Sequence, residues 1–248
     1  MVAGKVDLRL RLRPTRYRAG LRWWHCHPHR VDPVTLDIRY PEDAFNPESN
    51  VRFSARDAKP SRAMWYGAQS ATAALWETLL RDVIGDDRGG VVLPRSTFAG
   101  LRLTAMRTRR ELLLLELLPA PLRRLAESRE AADNWLALTQ TPSHIATHAA
   151  TWNLLEQAAR AGVALDGLLW NSRQAGTAQQ RPVVGVLYEP PASARDLVID
   201  PTITPVDLTD PDGEALIAAA LAEAGLWRYQ DDLDAIADEP DSPVEPKD

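Results

Sequence analysis

Residues 6–12 alternate, with Val6, Leu8, Leu10 and Leu12 apolar and Asp7, Arg9 and Arg11 between them. That period of two predicts a strand with one buried face, ended at Pro14. From His25 to Pro60 no period is sustained, and Pro28, Pro33, Pro41, Pro47 and Pro60 break the chain repeatedly. This stretch reads as loop, and loops of that length commonly carry function. Short apolar runs predict strands at 62–66, 100–106, 111–118, 163–170 and 182–188, although the leucine-rich run at 112–115 fits a helix equally well. Ser70 reads as the N-cap of a helix through Ala73, Ala74, Leu75, Trp76, Leu79 and Leu80. Pro119 and Pro121 open a helix near 121–129, Ser143 caps another running to Ala161, and Gly162 stops it. The Ala-rich segment 211–226 predicts a last helix. Strands and helices mix without a regular βαβ rhythm, so the expected class is α/β of the α+β kind.

The 248 residues suffice for one substantial domain, and 45% hydrophobic with 25% charged residues is an ordinary globular composition. Cys26 is the single cysteine, which excludes an intramolecular disulfide and favours a reducing, cytoplasmic setting. No apolar run approaches the length of a membrane span. The net charge of -5 conceals a segregation. Residues 1–30 carry eight Lys/Arg against Asp7, whereas 196–248 carry fifteen Asp/Glu against Arg228 and Lys247. The acidic average argues against direct nucleic-acid binding, although a basic front end can still meet phosphate groups.

No GxGxxG, P-loop or GxSxG motif is present, so any nucleotide is held by side chains rather than by a glycine cradle. His25, Cys26, His27 and His29 crowd together, and His144 and His148 stand four apart on a predicted helix. Neither group has a second ligand cluster at zinc-site spacing, so no metal is expected.

Four segments remain: 17–25 with Arg22 and Trp23, 45–54 with Arg52, 65–77 with Tyr66 and Glu77, and 166–176 with Ser172. In order and spacing they resemble the RES domain family, named for its Arg, Glu and Ser. The matching positions are Arg22, Arg52-Phe53, Tyr66-Gly67-Ala68, Ala74-Leu75-Trp76-Glu77, Asp166-Gly167, Ser172-Arg173 and Gly176. Two positions depart: Trp23, where a better-known member of the family has Tyr, and Val51, where Gly is common. Members degrade NAD, and many are bacterial toxins paired with an Xre-type antitoxin. The resemblance therefore implies NAD as substrate, an Xre-type partner, and an ADP-ribosyltransferase-like fold with two facing small sheets around an NAD cleft. The resemblance spans about 15–190, so the expected organisation is a catalytic domain over 1–195 and a helical extension over 196–230, with 231–248, acidic and Pro-containing, expected to lack order.

The residue types suit that chemistry. Nicotinamide leaves NAD as a neutral group, so the difficulty lies in the oxocarbenium-like ribose left behind. Glu77 is the expected carboxylate beside that ribose. Arginine forks fit phosphate oxygens, which makes Arg22 and Arg52 the expected pyrophosphate ligands. Tyr66 can stack and donate through its hydroxyl, Ser172 can donate to ribose or phosphate, and Trp23 is expected as a pocket wall. Arg52 and Tyr66 join Glu77 in the expected catalytic set. The attacking group names the reaction: water gives a glycohydrolase, inorganic phosphate a phosphorylase, a protein side chain an ADP-ribosyltransferase. A non-catalytic NAD-binding module and a zinc protein are the competing classes.

Overall fold

The computed structural model describes residues 6–28, 30–31, 38–39, 45–46, 52–55, 57–58, 60–175 and 181–229. His29, Val51, Gly176 and the acidic tail lie outside the described residues. The strands are β1 (Thr15–Tyr17), β2 (Arg22–Pro28), β3 (Arg30–Val31), β4 (Ile38–Arg39), β5 (Ala63–Ala68), β6 (Gly90–Val91) and β7 (Leu101–Thr108). They continue as β8 (Leu112–Glu116), β9 (Gly167–Asn171), β10 (Val183–Glu189), β11 (Leu197–Ile199), β12 (Val206–Asp207) and β13 (Trp227–Arg228). The helices are α1 (Ala71–Thr78), α2 (Pro119–Leu125), α3 (Arg129–Gln140), α4 (His144–Arg160) and α5 (Pro211–Glu223).

The fold is mixed α+β around a strongly curled sheet. Nine strands follow the order β1-β8-β9-β10-β5-β2-β7-β11, with β12 also on β7. Only the β8–β9 pair in this sheet is parallel. The path holds two ladders with a narrow join. β5 pairs with β10 over six residues and β2 pairs with β7 over seven, yet β2 and β5 share the single pair Trp24↔Ala68. In place of the two facing small sheets expected from the resemblance, the described strands of this path form one hydrogen-bonded sheet.

Alternating side chains fill the two faces of the curl. Trp23, Trp65, Met106, Leu114, Leu169 and Leu187 make a small core on one face. Trp170, Val184, Val186 and Tyr188 join Leu75, Leu154 and Trp135 from the helices in a larger core on the other. Gly67 and Gly185 are cross-strand partners that make room for the small core. A Cβ on Gly67 would stand 2.5 Å from the Trp65 ring, and one on Gly185 would stand 2.9 Å from Trp23.

Several expectations change. Residues 6–12 turn Leu10 inward as their period demands, but they form no strand, only an isolated bridge from Leu10 to Ala126 at the end of α2. The first four residues of the stretch expected as loop from His25 are strand, because β2 runs to Pro28 along β7. Both faces of β2 pack against apolar neighbours, which erases the alternation that would have marked it. The helix expected at 121–129 ends at Leu125, and the unforeseen α3 starts after Ser128, whose Oγ accepts from the Ala131 N–H at 3.0 Å. Among the described residues no helix is long and apolar enough to cross a membrane.

Candidate active site

α1 starts where expected: Ser70 Oγ accepts from the Ala73 N–H at 3.1 Å. Ala73, Ala74, Leu75 and Trp76 are buried, which fixes the rotation of this short helix and directs Glu77 across to β5 and β9. Both oxygens of the half-buried Glu77 carboxylate are engaged. Tyr66 Oη donates to Oε2 at 2.8 Å and Ser172 Oγ donates to Oε1 at 2.5 Å. The three residues come from α1, β5 and the turn after β9, up to 106 positions apart in the chain.

Each donor is held in turn. Ser172 is fully buried, and its Oγ accepts from the N–H groups of Gln174 (3.1 Å) and Ala175 (2.8 Å), which ties down the turn carrying Arg173. The Tyr66 ring lies 5.7 Å from the Trp170 ring. Burial, then the charge and hydrogen bond of Glu77, hold the Tyr66 phenol well above its ordinary pKa. Tyr66 therefore stays a neutral donor at any physiological pH. His25 reaches from β2 across the narrow join, its Nδ1–H donating to the Tyr66 carbonyl at 2.6 Å.

Arg52 is buried, and its Nη1 donates to the carbonyls of Leu138 (3.2 Å) and Thr141 at the end of α3. A helix C-terminus leaves such carbonyls unpaired and attracts a cation. Burial first, then the nearby Arg173 charge, lower the Arg52 pKa, and Glu77 acts against them. Phe53, next in the chain, is in the left-handed region at φ 58°. Its carbonyl accepts from Tyr188 Oη at 2.9 Å and its ring meets the Trp170 ring at 4.8 Å.

Arg22 and Trp23 are not brought to this carboxylate by any contact among the described residues. Arg22 Nε donates to Asp200 Oδ2 at 2.7 Å, and Arg107 Nε contacts the same oxygen at 2.7 Å. Burial opposes ionisation of Asp200, but Thr202, Arg107 and Arg22 outweigh it and keep the group far below the usual carboxylate range. Trp23 is 1% exposed, stands T-shaped to Trp65 at 6.2 Å, and belongs to the core on the opposite face of the sheet from Tyr66. It packs the curl and does not line the carboxylate.

Arg81 was not among the expected site residues. Its charge and that of Arg173 act on the Arg52 guanidinium, and Arg81 acts on Tyr66 as well. No sequence signal marked it: Arg81 lies in the turn beyond the end of α1 at Thr78. Asp166 is also spent on structure. Its carboxylate accepts from Arg110 at 2.7 and 3.1 Å and from the Leu113 N–H at 2.7 Å, fastening β8 to β9. Of the histidine cluster, His29 lies outside the described residues. His25 and His27 stack at 5.2 Å on one face of β2 while Cys26 enters the core on the other. Among the described residues no group of three His, Cys, Asp or Glu side chains is placed to hold an ion.

A carboxylate fixed at both oxygens beside a neutral phenol and a buried guanidinium can stabilise a cationic sugar and bind its anionic substituents. Comparison with curated proteins returns no match. The family model described as the RES domain matches residues 22–209, a span that contains Arg22, Arg52, Tyr66, Glu77 and Ser172 and covers well over half of the chain. On that match the chain belongs to the RES domain family.

Proposed function

We propose that the protein consumes NAD by cleaving the bond between nicotinamide and ribose. The observation that carries this reading is the Glu77 carboxylate, which receives Tyr66 and Ser172 on its two oxygens within electrostatic reach of Arg52. In that pocket the C–N bond breaks with its electron pair going to nicotinamide, which leaves neutral. Positive charge develops on the ribose, and a fixed carboxylate in partly water-excluded surroundings stabilises it without reorganising. Tyr66 and Ser172 keep that carboxylate from rotating away. Arg52, and Arg22 from the other half of the sheet, are the proposed ligands of the pyrophosphate.

Attack by water gives ADP-ribose and a proton, and attack by inorganic phosphate gives ADP-ribose 1-phosphate. The added charges of Arg81 and Arg173 favour an anionic acceptor. Loss of NAD arrests growth, so this chemistry suits the toxin of a toxin–antitoxin module in the cytoplasm. The proposed partner is an Xre-type antitoxin that covers Arg22 and Arg52.

The test is product identification by mass after incubation with NAD, with and without phosphate. Free nicotinamide is expected, with ADP-ribose 1-phosphate replacing ADP-ribose when phosphate is present. Adenylate label transferred to protein would instead name an ADP-ribosyltransferase, and bound but intact NAD a non-catalytic module. Glu77→Gln is expected to lower kcat by about 100- to 1,000-fold, the scale of losing one preorganised electrostatic group, with the circular dichroism spectrum unchanged.

A further inference from the structure

β2 and β5 are neighbours at the narrow join, yet their register stops at Trp24↔Ala68. Continued antiparallel, it would set Cys26 opposite Tyr66, but β2 departs along β7 and Cys26 pairs with Leu103. The Tyr66 carbonyl still receives a donor from β2. The His25 side chain stands in for the backbone, its Nδ1–H donating to that carbonyl at 2.6 Å. A carbonyl only accepts, so the ring proton sits on Nδ1. The ring that makes this bond is itself held. Trp65 lies 5.0 Å from it, and His27 stacks on it at 5.2 Å with 9° between the planes. His27 is fixed in turn, with Nδ1–H donating to the Pro28 carbonyl at 3.0 Å and Nε2 accepting from the Thr104 hydroxyl at 3.0 Å.

Tyr66 is thereby anchored at two places on opposite ends of the residue. Its hydroxyl is on Glu77 Oε2 at 2.8 Å, and its carbonyl is on His25. The phenol oxygen stands at the far end of a rigid ring, so a small turn of the backbone at residue 66 carries it off the carboxylate. Catalytic groups act when held within about 0.5 Å of their productive geometry, so a bond behind the side chain is enough to matter. Among the described residues His25 makes no hydrogen bond to Glu77, Arg52 or Ser172, and its effect therefore passes through Tyr66. We propose that His25 is a positioning residue of the reaction, an inference that rests on the NAD reading above. It locks the Tyr66 backbone across the join, and so keeps the phenol on Glu77 and the carboxylate in its orientation.

The experiment uses the full chain and two readouts, nicotinamide release from NAD and the carbon-13 shift of Tyr66 Cζ, which reports the hydrogen bond of the phenol. Tyr66→Phe assigns that signal. His25→Leu and His25→Ala both remove the donor, the first while keeping the volume filled, and His25→Asn keeps a donor near the place of Nδ1. The leucine and alanine variants are expected to lower kcat about ten-fold, the scale of one net hydrogen bond, with KM changed less than about two-fold. His25→Asn is expected to restore kcat. In a Tyr66→Phe background, His25→Leu is expected to change kcat by less than about two-fold, because the two residues act as one unit. The Cζ shift is expected to move in the leucine and alanine variants and to stay in the asparagine variant. An unmoved Cζ shift in the donor-less variants would overturn the assignment. So would a loss of kcat as large in the Tyr66→Phe background as in the wild type, which would assign His25 to folding alone. If the Cζ shift follows this pattern but the wild-type protein releases no nicotinamide, the hold of His25 on Tyr66 stands and the reading of the reaction falls.

Discussion

Phe53 keeps a left-handed backbone despite its Cβ, which costs about 1–2 kcal/mol. The cost is offset by a buried ring against Trp170 and by the bond from Tyr188 to its carbonyl. Phe53→Ala loses the ring and retains the strain, so urea unfolding is expected to show a loss of about 3–5 kcal/mol. Phe53→Gly loses the ring but relieves the backbone, and is expected to be more stable than the alanine variant by about 1 kcal/mol. The opposite order would mean that the strain is not stored at this residue. His25 gives a pH prediction. Burial, with a smaller push from His27, depresses its pKa from 6.5 to about 3. The unfolded chain therefore takes up a proton near pH 6.5 that the folded chain refuses until about pH 3, and stability falls as pH drops through that window. The slope approaches about 1.4 kcal/mol per pH unit. His25→Asn preserves a donor for the Tyr66 carbonyl but not the titration. Its denaturation midpoint is expected to vary less than that of the wild type between pH 6 and 4.

α1 carries Glu77 on only eight residues, too few to be helical without its cap and its packing. Ser70→Ala is expected to cost about 1 kcal/mol and to lower kcat more than it raises KM, because it loosens the carboxylate rather than a binding group. Gly167 is the most closely approached of the sheet's glycines: a Cβ there would stand 2.1 Å from the Val186 carbonyl oxygen. Gly167→Ala must part β9 from β10 and shift Ser172, so soluble expression of this variant is expected to fail or its melting point to drop sharply. At this scale much was legible. The Ser70 and Ser143 caps, β5, β7, β8 and β10 lie within a residue or two of their expected places because each has a local signal. Glu77, Tyr66 and Ser172 were named together only through family resemblance, since no local pattern links residues so far apart. α3 was missed although Ala131, Trp135 and Thr139 recur every four residues, because Asp133, Asn134 and Thr139 weaken its helix propensity. Missing α3 hid the carbonyls that hold Arg52.

Beyond residue 209 the chain still serves the site. α5 packs on α1, and the buried Trp76 indole donates to the Ala220 carbonyl at 3.2 Å. β13 then pairs with β6, with Trp227 opposite Gly90. A chain cut after Leu208 is expected to lose nicotinamide release and melt earlier than the full chain, whereas the reading of α5 as a bystander predicts full activity. The basic front and acidic rear, prominent in the sequence, supply only one proposed ligand, Arg22, and that side chain is already shared with Asp200. The sheet itself is joined across its middle by one residue pair, Trp24↔Ala68, and by the bond from His25 to the Tyr66 carbonyl. A substrate that touches Arg22 on one half and Ser172 on the other adds a strap where the backbone supplies almost none. On the proposed NAD reading that strap is expected in deuterium uptake: the amides flanking Trp24 and Ala68 should exchange more slowly with an uncleavable NAD analogue bound and recover when it is removed.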